Sequence, residues 1–526
     1  MRTAAVTTLL LVPIVAGGFL LQEPAARSGA HLFDQVRTLV ETRYVDSLKD
    51  GQVFEKAARG MVRELNDPYS ELLTPKESDS FNRSTNGRYG GTGMLLEQQP
   101  GTDVSVQRVF PHTPAQEAGV QEGDRIIAID GVSTHNWEID KVSEKLRGNP
   151  GSQVSVTYSR PGVSEPIKLH FTRAVVHVPA VAYSAIFDRN IGYIPLQTFN
   201  ENAAEEVATA VEKLEQEGAK GIVLDMRDNG GGIVDQALAV SGLFLPEGQE
   251  IVSVRARNAP TEVARSRGQH LAGNIPLVVL VDGSSASATE IVAGALQDHD
   301  RALILGTTSF GKGLVQSVFP LDGGYFLKMT TGKWYTPSGR SIHRDRQLLP
   351  DGRFVETHPD SLETDSARKA RPAFKSDAGR TVYGGGGITP DVFVTDDTLS
   401  TTEQQFLRSI APKAQIVQSA LESYAFELKR SVAKDFVVSP AWTAELTRRI
   451  TSRGVVIEPK FEAAANRLLT RELEHRIART AFGDAAAKER ELNTDRQLSE
   501  AIRLLEKATD QCDLFTVAHA GLASRH

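Results

Sequence analysis

The sequence predicts a multidomain α+β protein, because its pattern changes several times along 526 residues. Residues 183–337 alternate strand-like and helix-like runs, which is typical of an α/β unit with crossover connections. Residues 88–174 contain short strands around one amphipathic helix, and the residues after 399 are helical and highly charged. We therefore expect five parts, which are residues 1–30, 31–87, 88–174, 175–398 and 399–526.

The first part, residues 1–30, has the composition of an export segment. One Arg precedes an uncharged, mostly apolar run from Thr3 to Leu21, and a positive start before an apolar core marks an export signal. The run is also just long enough to span a bilayer, so a cleaved signal peptide and a retained membrane anchor both stay open. In either case the sequence predicts a protein exported to the periplasm or to another space outside the cytoplasm.

The next two parts are predicted to be helical and strand-rich, respectively. In residues 31–87, the runs LFDQVRTLVETRYV and VFEKAARGMVREL place apolar residues three and four apart, as amphipathic helices do. Residues 88–174 open with the glycine-rich RYGGTGMLL and continue with alternating strands such as DVSVQRVF and SQVSVTYS. One helix, WEIDKVSEKLRG, interrupts these strands, and the pattern predicts a small domain made mostly of short strands.

The α/β core, residues 175–398, is the most regular part. Its predicted strands IGYIPL, GIVLDM, IPLVVLVDG and ALILG alternate with three helices, the last of which is SATEIVAGALQD. Residues 340–383 interrupt the core with a long polar and charged stretch, which we expect to be a mobile surface loop. After residue 399 the helices carry no spacing typical of a catalytic site, so an accessory or assembly role is expected there.

Composition excludes several classes of function. The formal net charge is -7 and the pI is near 6.0, whereas nucleic-acid-binding proteins usually carry clustered Lys and Arg and a high pI. We therefore expect no nucleic-acid partner. The single cysteine, Cys512, excludes an internal disulfide framework and any metal cluster built on cysteines.

The stretch LVDGSSASATEIVAGALQD, residues 280–298, is where the sequence most strongly indicates chemistry. Ser287 and Glu290 fit the capping box S-x-x-E, which closes the first turn of a helix. Ser287 is also a candidate nucleophile, although the nucleophile-elbow pattern G-x-S-x-G is missing. A nucleophilic serine needs a base, and no histidine of the core lies in a recognisable context. Lys312 is the candidate base. Its neighbours are uncharged, and an apolar pocket around it would lower the pKa of its amine and favour the neutral form that can accept a proton.

Residues 306–313, GTTSFGKG, nearly match the phosphate-binding loop G-x-x-x-x-G-K-[ST]. The last position is Gly313, so the hydroxyl that would bind Mg²⁺ is missing. The following residues predict strand and turn instead of the helix whose N-terminus would hold the phosphates. A nucleotide-dependent enzyme is therefore disfavoured.

Several motifs, in order along the chain, resemble those of the carboxy-terminal processing peptidases, which are tail-specific Ser-Lys proteases. They are SASATE around Ser287, FGKG around Lys312, Gln316 four residues later, NDPYSELLTP, GIVLDMRDNGGG, KWYTPSGRSIH and GGGGITPDV. The resemblance covers residues 31–399 and implies a crotonase-like α/β serine protease core. The departures from the family pattern are Thr289, where many members have Ser, the insert 340–383 and the helical tail.

The resemblance also implies roles for individual residues of the core. Ser287 would attack the peptide carbonyl, Lys312 would act as the general base, and Gln316 would orient the lysine amine. The backbone N–H groups of Gly231 and Ala288 would form the oxyanion hole. No metal and no organic cofactor is implied.

Residues 88–174 resemble a PDZ domain, with YGGTGM as its carboxylate-binding loop. The N–H groups of Thr92, Gly93 and Met94 would receive the free C-terminus of a substrate, which would add as a strand. The implied partners are protein substrates with free, apolar C-termini; an adaptor or activator protein, a membrane anchor and a homo-oligomer stay open. The resemblance thus implies an exported serine endopeptidase that cuts proteins near their C-termini, and the alternative is a catalytically inactive PDZ adaptor.

Overall fold

The computed structural model describes residues 24–523 except 49, 99–102, 161, 188–189, 269–270, 272, 274, 349–353, 357–365, 368–369, 396–398 and 493. The predicted export run, Thr3 to Leu21, lies outside the described residues. Within them, no helix combines the length and the apolar character that crossing a membrane requires. The chain divides into two compact units, which are Met1–Ser78 with Gln316–Thr330, and Asp79–Val315 with Thr331–His526.

Helices and strands are numbered in chain order. The helices are α1 (Pro24–Arg43), α2 (Asp50–Arg63), α3 (Pro75–Asn86), α4 (Pro114–Glu117), α5 (Ile139–Leu146), α6 (Ala203–Gln216), α7 (Val234–Phe244), α8 (Ala288–Asp298), α9 (Thr401–Ile410), α10 (Ala414–Leu428), α11 (Pro440–Thr451), α12 (Glu462–Phe482), α13 (Asp484–Glu491), α14 (Arg496–Leu505) and α15 (Gln511–Ala523). The strands are β1 (Glu71–Leu73), β2 (Arg88–Gly91), β3 (Met94–Glu97), β4 (Ser105–Val109), β5 (Arg125–Ile129), β6 (Val132–Ser133), β7 (Gln153–Ser159), β8 (Ile167–Thr172), β9 (Ala174–His177), β10 (Ala185–Phe187), β11 (Ile191–Pro195), β12 (Gly221–Asp225), β13 (Glu250–Ala256), β14 (Glu262–Arg265), β15 (Leu277–Val281), β16 (Leu303–Gly306), β17 (Leu314–Pro320), β18 (Phe326–Tyr335), β19 (Arg346–Leu348), β20 (Phe354–Glu356), β21 (Ala373–Lys375), β22 (Thr381–Tyr383) and β23 (Val392–Phe393).

The smaller unit contains the helices that the sequence predicts after residue 31. Helices α1 and α2 belong to it, and α3 begins in it. Strand β1 pairs antiparallel with residues 326–328 of β18. The hydroxyl of Tyr325 donates to Oε2 of Glu55 on α2 at 3.0 Å, which joins the helices of this unit to its strands.

The α/β core, in the larger unit, is built on a six-stranded sheet in the order β10–β11–β12–β15–β16–β23. All neighbouring pairs except β10–β11 are parallel, so crossover connections are needed, and α6 and α8 supply two of them. Strands β11, β12, β15 and β16 are buried along their whole length. Such burial is typical of parallel strands that are covered on both faces.

Alternate side chains of the core strands enter two different hydrophobic clusters. On one face, Ile222 and Leu224 of β12 belong to a cluster with apolar residues of α6, α7 and α8. On the other face, Val223 belongs to a cluster with Leu504 of α14 and Leu514 of α15. This arrangement follows from the strand period of two, which sends successive side chains to opposite faces.

The C-terminal region is therefore divided between two structural roles. The sequence predicts one helical region over 399–526 with an accessory or assembly role. In the structure, α9 to α13 share a hydrophobic cluster of their own, whereas α14 and α15 cover the second face of the core sheet. The sequence did not predict that α14 and α15 cover the core sheet, because an amphipathic stripe indicates that a helix is buried but does not indicate which surface it covers.

The short-strand domain, residues 88–174, forms a sheet in the order β3–β4–β5–β7–β8, with β6 paired to β5. All of its pairs are antiparallel. Helix α5 places Val142 and Leu146 in the hydrophobic cluster of this sheet. Strand β3 lies at one edge of this sheet. Strands β2 and β9, which begin and end the sequence of the domain, pair antiparallel with each other in a separate two-stranded sheet.

The helices of the C-terminal bundle contact the short-strand domain within the larger unit. Arg479 of α12 donates to the carbonyl oxygen of Gln107 on β4 at 3.0 Å. Arg108, the next residue of that strand, forms an ion pair with Asp484 at 3.2 Å. These contacts tie β4 to α12 and α13.

The segment 340–383 differs from the predicted mobile surface loop at both of its ends. Arg340 and Ile342 are fully buried, and the Arg340 guanidinium pairs with the Asp298 carboxylate at 2.7 Å. The hairpin β21–β22 closes the segment, and a second hairpin, β19–β20, lies inside it. The prediction fails at these ends because it assumed that charged residues lie on the surface. An arginine that is paired with a carboxylate can instead be buried.

Candidate active site

Ser287 lies at the start of α8, as the sequence predicts. It is the N-cap residue and forms the predicted capping box with Glu290, whose Oε2 accepts the N–H of Ser287 at 2.8 Å. The backbone of Ser287 has φ 57° and ψ -113°, and a residue with a side chain keeps such a conformation only where its surroundings enforce it. Ser287 is half-buried, so the capping position and a reactive hydroxyl are compatible.

The helix that carries Ser287 is fixed on all sides. Every residue of α8, from Ala288 to Asp298, is buried, and α8 packs against α7, β13 and β16. A helix buried around its whole circumference cannot shift without opening cavities in a close-packed interior. The core therefore sets the position of Ser287.

Lys312 lies in the loop after β16, and its backbone is held at both its N–H and its carbonyl group. The N–H donates to Oε2 of Glu290 at 2.8 Å, and the carbonyl oxygen accepts from Nε1 of Trp334 at 3.0 Å. Trp334 is buried on β18, while Lys312 is half-buried. Strand β17 follows this loop as predicted, in the place where a phosphate-binding loop would require a helix.

Glu290 joins the two candidate catalytic residues. Its side chain is completely buried, and Oε2 accepts the N–H groups of both Ser287 and Lys312. The other oxygen, Oε1, accepts the N–H of Gly311 at 2.6 Å and the hydroxyl of Ser309 at 2.5 Å. Because Oε2 is 2.8 Å from each of the two nitrogens, the backbones of Ser287 and Lys312 lie within twice that distance of each other. The structure thus brings the two predicted residues together.

Two opposing effects act on the ionisation of Glu290. Burial raises the pKa of its carboxyl above the usual value, and the hydrogen bonds from Ser309, Lys312, Gly311 and Ser287 offset only part of that rise. A backbone N–H can only donate, so both side-chain oxygens of Glu290 must act as acceptors toward the three backbone donors. The loop around Lys312 and the start of α8 are therefore held by one buried acceptor group.

Gly231 lies against the nucleophile segment, as the resemblance implies. A Cβ atom at this position would lie 2.9 Å from the nitrogen of Ala288 and 3.0 Å from Cβ of Ser287, and φ of Gly231 is 97°. Both facts require glycine here. The N–H of Gly231 donates to Oδ1 of Asn229 at 2.9 Å, so in this state an oxyanion would have to share or replace that acceptor.

Asn229, which sequence reasoning did not single out, connects several segments of the site by hydrogen bonds. Its Nδ2 donates to the carbonyl oxygen of Leu196, just after β11, at 2.8 Å. Its own carbonyl oxygen accepts the N–H of Ala286 at 3.0 Å and the hydroxyl of Thr289 at 2.9 Å. Thr289, at the position where many family members have serine, thus retains a hydroxyl that makes a hydrogen bond. Asn229 in turn connects three segments of the site.

Asp282 was missed as well. Its carboxylate accepts the N–H of Asp228 at 3.1 Å and the N–H groups of Ser284 and Ser285 at 3.0 Å and 2.9 Å. It therefore links the glycine turn after β12, residues 226–232, to the turn that leads to Ser287. A usable signal was present, because DNGGG and DGSS each follow a buried parallel strand, and carboxyl ends of parallel strands meet at one sheet edge.

Gln316, the third predicted catalytic residue, lies on β17 in the smaller unit. Its Nε2 donates to the hydroxyl of Thr330 at 3.3 Å. The orienting role that the resemblance implies for Gln316 stays a prediction.

Thr92, Gly93 and Met94 lie where the predicted carboxylate-binding loop enters the edge strand β3. The carbonyl oxygens of Thr92 and Gly93 accept the N–H groups of Ala115 and Phe110 at 2.8 Å and 3.0 Å. Gly93 has φ 93°, and a Cβ atom there would lie 2.2 Å from Cβ of Thr113. The loop conformation is thus fixed beside a sheet edge, which is the kind of edge that an extended peptide joins as a further strand.

Three family models match the chain. The model described as peptidase family S41 matches residues 190–353, a PDZ domain model matches residues 105–160, and the model of the activating protease CtpB N-terminal domain matches residues 22–76. The matched S41 range contains Ser287 and Lys312.

Curated relatives match over longer stretches. The carboxy-terminal processing protease CtpA of Bacillus subtilis is 33% identical over 345 residues, which cover 65% of this chain and 73% of that protein. The carboxy-terminal-processing protease of Bartonella bacilliformis is 38% identical over 316 residues, covering 59% of this chain and 71% of that protein. The carboxyl-terminal-processing protease of Synechocystis sp. is 35% identical over 318 residues, covering 60% and 74%.

Proposed function

This chain belongs to the carboxy-terminal processing proteases of peptidase family S41 and is a serine peptidase, and from that premise we propose that it is an exported endopeptidase which cuts proteins near their C-termini. The observation that carries the proposal is the buried Glu290 carboxylate, whose Oε2 accepts the backbone N–H groups of both Ser287 and Lys312. A serine and a lysine held this closely by one acceptor form the core of a Ser-Lys dyad.

In the proposed reaction Ser287 is the nucleophile and Lys312 is the general base. Oγ of Ser287 forms a bond to the peptide carbonyl carbon while the neutral Lys312 amine takes the hydroxyl proton. The carbon–nitrogen bond then breaks, and Lys312 returns the proton to the leaving amine. Water, deprotonated by Lys312, then attacks the acyl ester carbon, the bond from that carbon to Oγ breaks, and Lys312 returns the proton to Oγ of Ser287. Gln316 retains the assisting role that the family resemblance implies.

The negative oxygen of the tetrahedral intermediate is assigned to the N–H groups of Gly231 and Ala288. The closeness of Gly231 to the Ala288 nitrogen supports this assignment, and the N-terminus of α8 adds a favourable dipole. The Gly231 N–H must then exchange its bond to Asn229 for one to the oxyanion. Because the developing charge makes the oxyanion the stronger acceptor, this exchange favours the transition state over the resting state.

Substrate selection is assigned to the PDZ domain. The match to residues 105–160 and the edge position of β3 support a groove that takes a free C-terminus as an added strand. In this proposal the N–H groups of Thr92, Gly93 and Met94 bind the terminal carboxylate. The apolar character expected of the substrate C-terminus matches Leu95 of β3, which is exposed at this edge.

Export and partners remain part of the proposal. The apolar run Thr3–Leu21 after a single Arg supports export to the periplasm or an equivalent compartment. Protein substrates follow from the family, and helices α1 and α2 expose Leu32, Leu39 and Met61. This apolar surface supports a protein partner, either an adaptor, an activator or a second copy of the chain.

The experiment measures proteolysis of a loosely folded test protein that ends in a free, apolar C-terminus. Wild type, Ser287→Ala and Lys312→Ala are compared at equal folded concentration, with Ser452→Ala and Lys213→Ala as matched controls from the surface. We expect the rate to fall by about 10²–10⁴-fold without Lys312 and by more without Ser287, and we expect both controls to match wild type. A second substrate with an amidated C-terminus should be cut more slowly by wild type, through a higher KM.

Each other outcome has a definite meaning. Equal cleavage by wild type, Ser287→Ala and Lys312→Ala would contradict the dyad and point to another nucleophile. Binding of the test protein without cleavage by any of the three would favour the inactive-adaptor alternative. Equal KM for free and amidated C-termini would contradict only the role assigned to the PDZ domain.

A further inference from the structure

The guanidinium of Arg227 is held between two carboxylates from distant parts of the chain. Asp225, at the end of β12, accepts Nε and Nη2 of Arg227 at 2.9 Å and 2.6 Å. Asp495, from the C-terminal region, accepts Nη1 and Nη2 at 2.9 Å and 2.8 Å. Both contacts are bidentate, which is the strongest and most directional form of an Arg–carboxylate pair.

Asp495 is itself fixed by the helix that it begins. It is the N-cap residue of α14, and its side chain accepts the N–H of Leu498 at 3.0 Å. Helix α14 packs on the core sheet through Leu504 and its other buried apolar residues. Lys488 of α13 donates to the same carboxylate at 2.8 Å. The Asp495 carboxylate therefore has little freedom to move, and a rigid carboxylate can fix its partner.

Arg227 opens the turn that carries the proposed oxyanion donor. Asn229 and Gly231 follow it by two and four residues, and Gly231 lies against Ser287 and Ala288. The turn is also held by Asp282, which accepts the N–H of Asp228. Asp228 and Asp495 line one cavity of about 660 Å³, so the first residues of the turn have open space on that side. A contact that holds Arg227 there limits the movement of the turn into this space.

We propose that Asp495 is a positioning residue for catalysis, which fixes Arg227 and through it places the Gly231 N–H for the oxyanion. The inference rests on the proposed function, because it assumes the Gly231 donor. It gives the C-terminal region a role in the chemistry, since α14 both covers the core sheet and supports the active-site turn. Donors that stabilise a transition state must be held within a fraction of an ångström, and small displacements reduce kcat strongly.

Charge supports the geometric argument. Burial opposes ionisation of Asp495, but the hydrogen bonds and charges of Arg227 and Lys488 outweigh it and hold the pKa of Asp495 well below its usual range. The pKa of Arg227 is raised, because Asp225 and Asp495 outweigh the effect of its burial. The contact is therefore fully charged at neutral pH, and a neutral side chain at 495 would lose its charge–charge attraction to Arg227.

The test uses the full chain with two substitutions that preserve the helix cap. Asp495→Ser keeps a capping hydroxyl but is too short to reach Arg227, and Asp495→Asn keeps the size but loses the charge. The matched control is Glu474→Gln, which removes an ion pair with Arg490 at 2.8 Å inside the C-terminal bundle. Cleavage rates are expressed per active site, counted by titration of Ser287 with a fluorophosphonate, and thermal unfolding is measured for every variant.

We expect both Asp495 variants to lower kcat by about tenfold or more while KM changes less than about twofold. The affinity for a peptide aldehyde, whose adduct places an oxyanion in the hole, should fall in parallel with kcat. Glu474→Gln should leave all three quantities unchanged. A purely structural role would lower the number of titrated sites or the unfolding temperature but would leave kcat per site and aldehyde affinity as in wild type.

Two results would overturn the proposal. One is a kcat per site within about twofold of wild type for Asp495→Asn, the variant closest in size to the native residue. The other is a loss of kcat without any loss of aldehyde affinity. The variant Ser287→Ala distinguishes failure of the proposed function from failure of this inference. If the proposed function is wrong, Ser287→Ala cleaves the substrate like wild type, independently of the residue at position 495.

Discussion

Glu290 shows how much one buried carboxylate contributes to this active site. It belongs to the capping box of α8, but its two oxygens also accept hydrogen bonds from the loop after β16. The donors are the N–H groups of Gly311 and Lys312 and the hydroxyl of Ser309. An ordinary N3 glutamate needs only the N-cap N–H, and its side chain is usually solvated. Here the same side chain is completely buried, so it links the nucleophile segment to the base segment.

Replacing Glu290 with Gln should therefore damage both folding and activity. The amide nitrogen must occupy one of the two oxygen positions, where it faces a backbone N–H that can only donate. We expect the free energy of unfolding to fall by about 1–3 kcal/mol, and kcat to fall by about 10–100-fold because the two segments separate. Urea unfolding and steady-state cleavage measure the two effects.

The chain contains a matched control for this substitution. Ser400 and Glu403 form a second capping box at the start of α9, in which Oε2 of Glu403 accepts the N–H of Ser400 at 2.8 Å. We expect Glu403→Gln to lower stability by about 0.5–1 kcal/mol and to leave kcat unchanged. Equal kcat for Glu290→Gln and wild type would contradict the linking role and leave Glu290 as a cap alone.

Helix α14 is the element whose function depends most on its place in the fold. Its sequence is strongly amphipathic, and its apolar side packs on strands β12, β15 and β16. Without it, one face of an all-buried parallel sheet would be exposed to water, which such sheets do not tolerate. The helix is thus the third layer of the core and, through Asp495, a neighbour of the active-site turn.

Leu504→Ala should destabilise the core sheet together with α14. Leu504 is 1% exposed, and truncation of a buried leucine costs about 2–5 kcal/mol through lost transfer energy and a cavity. Val456→Ala, at a site that is 73% exposed, should change stability by less than about 0.5 kcal/mol. Amide hydrogen exchange locates the effect, and faster exchange confined to α14, with β12 and β15 unchanged, would contradict the three-layer core.

Considered over the whole larger unit, charged groups accumulate where the C-terminal bundle approaches the core and the short-strand domain. Lys488 pairs with both Glu491 and Asp495. Asp495 also pairs with Arg227, and Glu491 also pairs with His475. Burial opposes ionisation of Glu491, but the hydrogen bond from His475 and the charge of Lys488 outweigh it and lower its pKa to about 2. These pairs make the attachment of the C-terminal helices sensitive to acid.

The sign of the pH effect follows from the lowered pKa. A carboxyl with a lower pKa in the folded state stabilises the fold fully above its unfolded value of 4.5 and loses that contribution as the pH falls toward about 2. We expect the free energy of unfolding to drop between about pH 5 and about pH 2 and to drop less steeply in Glu491→Gln. Urea unfolding at several pH values measures the slope, with Glu489→Gln, a surface carboxylate of the same helix, as control. Equal slopes in Glu491→Gln and wild type would contradict the prediction.

Much of the fold was predictable because its signals are local. Periodicity identified the α/β core, the short strands of residues 88–174 and the C-terminal helices, and motif order identified the family. The capping box at Ser287 and the strand after Lys312 were also correct. The periodicity and the capping box depend on residues within a few positions of one another, and each family motif is a short stretch, so a single sequence contains the information.

Other features arise only when distant segments meet. The sequence predicts only a capping role for Glu290, and its contacts with the loop 309–312 are visible only in the structure. The sequence likewise does not show that Asn229 accepts the N–H of Gly231. The sequence does not show that helix α14 covers the core sheet. It also predicts that Arg340 lies in a surface loop, whereas in the structure Arg340 is buried and pairs with Asp298. The sequence thus established the elements, the family and the candidate Ser-Lys pair, because spacing along the chain encodes them. The partners of buried polar groups were set by tertiary packing, because burial forces each group to find a donor or acceptor among whichever segments the fold brings near.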